Sequence, residues 1–424
     1  MFDAAVSAAH PATALPPALP DLAPGETVRV IGAGKAAAAM AAALETHYAA
    51  AGTLSQVSGH VTTRHGYRLT DAGREPVIAV YEAGHPVPDQ ASLDASARAL
   101  AAVVDAPDDA TIIVLLSGGA SAIWTGLVPG VSLDAYQALT RDLLRSGATI
   151  SEINTIRKHV STISGGRLAA KANGRRMLTF AISDVPHDDA SMIGSGPTVA
   201  DPTTLDDAAM LLKTYDVAPA ASIAVALASD ANETLKADDP AFVNADYTLI
   251  AAPRMSLEAG AELASAAGYE VEMLGDALEG EARDVATAQA ERARAYHAEG
   301  RKVALLSGGE LTVTMRGNGR GGPNQEFALA LAAALDGAPG ICAIAGDTDG
   351  TDGGDGAADD PAGAIITPDT LAACTAADID VKQALAENNS GGAFRAIDAL
   401  LVTGPTQTNV NDFRAILIDP EVTS

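Results

Sequence analysis

The sequence predicts an α/β protein of two domains, an N-terminal Rossmann-like parallel sheet and a C-terminal mixed α/β domain. Three observations carry this. The 424 residues exceed one ordinary domain, and a 48% apolar content fills two cores. Short apolar runs alternate with alanine-rich helical stretches, and glycine-rich turns separate them. The alternation pauses over Val217–Asp239, an alanine-rich helix ending in an acidic, proline-marked turn, and then restarts; this divides the chain into residues 1–238 and 239–424.

After a proline-rich lead from Pro11 to Pro24, Thr27–Ile31 reads as a strand, Gly32-Ala33-Gly34-Lys35 as a tight turn and Ala36–Tyr48 as a helix. Gly32 and Gly34 with Ala37 meet the dinucleotide fingerprint in its weakest form. The next strand, Gln56–Thr62, runs into Thr63-Arg64 without the acid that would bind a ribose hydroxyl, which argues against NAD. A lysine in the first turn of a helix is commonly just solvated, but the glycines around Lys35 favour a phosphate contact. Further strands are expected at Val77–Tyr81, before Glu82–Asp89 with His85, and at Thr111–Leu116, before Ser117, Gly118, Gly119 and Ser121. In an open parallel sheet such loops gather at the carboxyl ends of the strands, where ligands bind.

Ser151–Val160 is expected to form a helix carrying Arg157, Lys158 and His159, and Met177–Ile182 a strand ending in Asp184, Asp188 and Asp189. One such Asp would be an ordinary helix cap; three after a buried strand could hold magnesium or polarise a hydroxyl. Ile193–Thr198 adds a loop expected to expose backbone amides. Beyond residue 239 come strands at Asp246–Ala251, Tyr269–Leu274, Val303–Leu306 and Leu311–Met315, with helices at Met255–Ala267 and Glu281–Glu299. Ser307, Gly308 and Gly309 echo the earlier Ser-Gly-Gly turn and are expected to cradle an anion. Arg316 and Arg320 lie among Gly317, Gly319, Gly321 and Gly322, a flexible cationic loop before a helix that Pro323 starts and that Asn324 and Gln325 are expected to cap. The Asp347–Asp360 segment, with Thr348 and Asp349, resembles a calcium loop but lacks its terminal Glu; the bland alternative is a solvated loop of Asx turns. Leu400–Val402 and Phe413–Ile418 read as two strands joined by a polar turn.

The net charge of −27 and a pI near 4.5 exclude nucleic acid and anionic membranes as partners and are read as a solubility surface. No Lys or Arg precedes Arg29 and no apolar run reaches 18 residues, so a cytoplasmic protein is expected. Cys342 and Cys374 are too few for a disulfide framework and are expected to be reduced core thiols.

The motifs Glu82–Asp89, Leu115–Ser121, Ile153–Ala169, Ile182–Asp189, Ile193–Thr198, Gly319–Leu329, Asp347–Gly353, Ala362–Ile366 and Thr403–Asp412 resemble, in order and along essentially the whole chain, the glycerate 2-kinase family. That family joins an N-terminal glycerate-kinase domain to a C-terminal MOFRL domain. The resemblance implies ATP-dependent phosphorylation of D-glycerate at the 2-hydroxyl, a divalent cation such as Mg2+, and an active site in the cleft between domains. It implies catalytic roles for Lys35 and Arg320. Substrate or phosphate contacts are then expected from Gly32, Gly34, His85, Ser117, Gly118, Gly119, Ser121, Arg157, Ser307, Gly308, Gly309, Asn324, Gln325, Glu326, Thr348 and Asp349. Asp184, Asp189 and Asp349 are candidates for the metal, and Asp184, Asp188, Asp189 and Asp349 for the base. His187 departs from the family pattern, which has glycine there. The alternatives weighed are an NAD(P)-dependent hydroxypyruvate reductase and a non-catalytic sugar-acid sensor. A monomer or homodimer is expected.

Overall fold

The computed structural model describes residues 1–69, 76–354 and 359–420. It forms two compact units, Pro11–Ile250, and Met1–His10 together with Ala251–Ser424. Among the described residues no helix is long and apolar enough to cross a membrane. Both cysteines are free; Cys374 is buried, whereas Cys342, expected in the core, is only partly so.

The Pro11–Ile250 unit is built on β1 (Val28–Ala33), β2 (Val57–Arg64), β3 (Ile78–Ala83), β4 (Thr111–Leu116), β5 (Met177–Ile182) and β6 (Ala245–Ala251). Their order is β3-β2-β1-β4-β5-β6. β2 pairs parallel with β1 and β3, and β4 parallel with β1 and β5. This is a doubly wound sheet whose direction of winding reverses between β1 and β4. Every residue of β4 and β5 is buried, as strands covered by helices on both faces require. Where the chain was expected to divide at 238/239, the strand that follows, β6, completes this first sheet.

The other unit contains β7 (Glu270–Leu278), β8 (Val303–Gly309), β9 (Ile341–Asp347), β10 (Gly363–Ile366), β11 (Leu400–Leu401) and β12 (Asp412–Ile418), in the order β11-β10-β9-β12-β8-β7. Only β7 and β8 pair in parallel; β12 runs antiparallel between β8 and β9. Two expectations fail here. Leu311–Met315 forms no strand, contributing a single bridge from Thr312 to Glu281, because it follows the end of β8, where the ladder with β7 has stopped. β11 and β12 are not a hairpin, since β10 and β9 separate them. Both errors come from reading apolar runs locally when pairing is decided by the whole sheet.

The Phe2–Ala9 helix belongs to this second unit. Phe2 packs edge-on against Phe413 of β12 with ring centroids 6.2 Å apart, and Ser256 Oγ donates to the Ala5 carbonyl at 2.7 Å. Thr408 Oγ1 donates to the Ala9 carbonyl at 2.7 Å. Phe2→Ala therefore removes a buried ring and is expected to destabilise the chain by about 3 kcal/mol, measured as a lower denaturant midpoint; a change within error would show that the helix is not part of this core.

Candidate functional site

The first group of candidate residues gathers at the carboxyl ends of β1 and β4, where the winding reverses. The turn after β1 interlocks with the turn after β4. Lys35 N donates to the Gly118 carbonyl at 2.8 Å, Ser117 N to the Ala33 carbonyl at 3.1 Å, and Ala36 N to Ser117 Oγ at 3.0 Å. The two turns approach so closely that a β-carbon on Gly34 would stand 2.2 Å from Ser117 Oγ, and the φ of Gly34 is +130°. The Ala37–Ala50 helix that follows has no side-chain cap on its first amides. An uncapped start of a long helix beside a lysine suits an anion. Gly32 is fixed by close approach to β4, and the His85 ring lies against Gly119.

Ser121 continues this edge. Its Oγ is 2.8 Å from Ser195 Oγ, and its carbonyl accepts from Arg157 Nη2 at 3.2 Å. Arg157 is further held by Asn154 and by the Tyr136 hydroxyl. Its two neighbours turn elsewhere. Lys158 makes a fully buried ion pair with Asp201 at 3.2 Å, and His159 Nε2 meets Glu233 at 3.2 Å. Burial would raise both carboxyls, but Lys158 and Thr203 hold Asp201 below its usual range, and amides with Lys236 and His159 bring Glu233 down to about 2. Lys158 and His159 thus hold the core together beneath Arg157.

After β5, Asp184 and Asp188 are half-buried and Asp189 is exposed, with its carboxylate accepting from Ser191 N at 2.8 Å. His187 has a φ of +63°, so a histidine occupies the left-handed conformation that glycine would fill more cheaply. The Ile193–Thr198 loop does not expose its amides as expected, since Ser195 N and Gly196 N donate to the carbonyls of Met192 and Ile193.

The second group gathers where β8 and β9 end and β12 begins. Ser307, Gly308 and Gly309 prolong β8 rather than forming a free turn. Ser307 Oγ accepts from Gln289 and Arg414 at 3.3 Å each, and the Gly308 carbonyl accepts from Arg414. The loop of Arg320 is not loose, as expected from its glycines. Arg316 N and Gly317 N donate to Asn388 Oδ1, and Arg320 N donates to Asn389 Oδ1. A β-carbon at Gly319 or Gly321 would strike Asn389 or Ser390. These glycines permit close packing against residues 387–391, and Arg320 is presented exposed on an anchored backbone.

The Pro323–Leu335 helix is not capped by Asn324 and Gln325; the acceptor is Asp352. Asp352 takes the amide of Asn324 at 3.0 Å and that of Gln325 at 2.8 Å, and the Gln325 side chain at 2.9 Å. Burial pushes the Asp352 carboxyl up to about 7, against the lowering by those amides. Asn324 Nδ2 also donates to Asp412 at 2.6 Å, and Glu326 pairs with Arg283. Thr348 donates to the Asn411 carbonyl at 2.7 Å, and Asp349 accepts from Thr351 N at 2.8 Å. Of the Asp347–Asp360 segment, residues 355–358 lie outside the described residues.

Residues missed in the sequence are Asn388, Asn389 and Arg414. The pair of asparagines before Ser390-Gly391-Gly392 was a legible turn signal, but nothing local marked their distant partners. Among the described residues no group of three His, Cys, Asp or Glu side chains is arranged to hold a metal. Gly34→Ala forces a side chain into Ser117 at a positive φ and is expected to cost at least about 1 kcal/mol, measured by denaturant unfolding; unchanged stability would refute the close approach.

Residues 1–228 match a family described as a domain of unknown function, DUF4147, and residues 303–412 match the MOFRL family. A protein of Agrobacterium vitis, given the provisional name hydroxypyruvate reductase, is 48% identical over 99% of this chain and 93% of its own. The glycerate 2-kinase of Pyrococcus horikoshii is 39% identical over 91% of this chain and 86% of its own. The crystal structure of glycerate kinase from Thermotoga maritima superposes with a TM-score of 0.86 at 34% identity, covering 98% of this chain and 97% of that one. With both domain matches in order and kinase relatives aligned over nearly its whole length, the chain belongs to the glycerate 2-kinase family.

Proposed function

We propose that the protein transfers a phosphoryl group from ATP to D-glycerate, giving 2-phosphoglycerate. The observation that carries this reading is the pair of interlocked turns at β1 and β4, with Lys35 beside an uncapped helix start, in a chain whose relatives named as glycerate kinases align nearly end to end. Phosphoryl transfer depends mainly on positioning and on neutralising charge spread over the moving group. Lys35 and Arg320 are the cations assigned to that task. The amides of Gly34, Lys35, Ala36 and Ser117 are engaged within the protein, so the amides assigned to phosphate oxygens are those of Gly118 and Gly119, and Arg157 steadies that edge through Ser121.

In the second unit the helix amides expected to meet phosphate are engaged by Asp352, so the contribution assigned there is the exposed guanidinium of Arg320. Asn324, Gln325 and Glu326 then support the loop from below. A magnesium ion at a phosphoryl site needs only one or two protein carboxylates, the rest being phosphate oxygens and water. Asp184, Asp189 and Asp349 are the candidates from which those one or two would come; the ion would neutralise phosphate charge. One of Asp184, Asp188, Asp189 and Asp349 takes the hydroxyl proton. The protein acts in the cytoplasm.

The reductase name of the Agrobacterium relative favours a second reading, hydride transfer to hydroxypyruvate. β2 ends in Thr62-Thr63-Arg64, without the acid that would hold a ribose hydroxyl. Mixing with NADH and hydroxypyruvate should therefore leave the absorbance of NADH unchanged; its steady loss would replace the kinase reading. With D-glycerate, ATP and magnesium, coupling to enolase should give signal without added mutase, whereas a requirement for mutase would assign the 3-phosphate. Arg320→Ala should lower kcat at least about a hundredfold with circular dichroism unchanged, and near-normal turnover would remove Arg320 from the mechanism.

A further inference from the structure

Among the described residues Arg414 is the largest fully buried side chain, on a central strand of the second sheet. Its Nη1 meets Asp412 at 2.6 Å, its Nε meets Ser307 Oγ at 3.3 Å, its Nη2 meets the Gly308 carbonyl, and its guanidinium lies 5.6 Å from the ring centroid of Phe327. The chain of contacts does not stop at this pair. Asp412 accepts from Asn324 Nδ2 at 2.6 Å, the same amide lies 3.3 Å from Asp352, and Asp352 takes the first amides of the Pro323–Leu335 helix. Three segments distant in sequence, the end of β8, the Asp347–Asp352 loop and the loop of Arg320, are thereby tied to one buried cation.

A structural ion pair alone would not need this arrangement. Replacing a buried pair by uncharged side chains often costs little stability, whereas its geometry fixes direction. Asn324 is the linking piece: a single amide spans two buried carboxylates, so the start of the helix can take only one rotation about its axis while both bonds hold. Gly321 and Gly322, which follow Arg320, pack directly against Ser390 and Asp352, so that rotation is passed to the Arg320 backbone.

We propose that Arg414 is a positioning residue of the phosphoryl-transfer reaction, acting through Asp412, Asn324 and Asp352 to aim the loop that carries Arg320. This rests on the kinase reading for its catalytic consequence, but its structural part can be tested without it. Arg414→Met alone leaves Asp412 unpaired and should lower Tm strongly. The pair Asp412→Asn with Arg414→Met should recover most of that loss, yet kcat for glycerate should stay down at least about tenfold with KM within about threefold. Recovery of both Tm and kcat would reduce the chain to a stabilising pair and overturn the proposal.

Amide hydrogen exchange separates this from the functional reading. In the folded wild-type protein, Asn324 and Gln325 should exchange as slowly as β8, and in the paired variant at least about tenfold faster. Exchange of these amides in the wild type at the rate of unprotected amides, or no change in the paired variant, overturns the positioning role whether or not glycerate is the substrate. Should the wild type fail to phosphorylate glycerate while the exchange results hold, the functional reading falls and the device stands. If the paired variant does not fold, the wild-type exchange alone decides.

Discussion

Two turns that approach too closely for a side chain at Gly34 set the geometry at the carboxyl ends of the first sheet's central strands, and everything placed there depends on that contact. The turn after β1 and the turn after β4 share hydrogen bonds at Lys35, Ser117 and Ala36, with Gly34 between them. The winding of the sheet reverses between these strands, which is where a doubly wound sheet opens a crevice at its carboxyl ends. The lysine, the Ser-Gly-Gly turn, His85, Ser121 and Arg157 are therefore gathered around a contact made of main chain and the Ser117 hydroxyl. Such a contact cannot be tuned gradually by substitution at Gly34, since any β-carbon there breaks it.

The second unit reaches a similar presentation of cationic groups by another route. Its Ser-Gly-Gly segment matches the first in sequence, yet it lies within a strand and its polar atoms are consumed by Arg414. Its helix start, in turn, is filled by the protein's own carboxylate, Asp352. The same short motif serves as an open turn in a parallel sheet and as an anchored strand end in a mixed one. What differs is the neighbour: β1 leaves Ser117 facing a turn, whereas β12 places an arginine against Ser307.

Much of this was legible beforehand. The βα alternation, the positions of most strands and the loops at their carboxyl ends followed from apolar periodicity and glycine punctuation. The resemblance of the motifs gave the family, which the domain matches and the kinase relatives bear out. The failures share a cause. Leu311–Met315 has the composition of a strand but no strand to pair with. The glycines around Arg320 suggested looseness, while their reason is the proximity of Asn389 and Ser390, about 70 residues later in sequence. Arg414, set in a plain apolar strand, carries no local sign of its partners. Composition tells what a segment can do, and long-range packing decides what it does.

The place of β12 has a consequence for the order in which the molecule can be made. This strand, near the end of the sequence, is the centre of the second sheet, and the Phe2–Ala9 helix needs its Phe413. The whole Pro11–Ile250 unit is inserted between the two pieces of that core. During synthesis the first sheet can close as soon as β6 is available, but the apolar face of the opening helix must wait for several hundred residues before its partner exists. A helix made before the whole inserted unit is thus among the last to be buried, and the cell must keep Phe2 and its neighbours from binding elsewhere in the meantime.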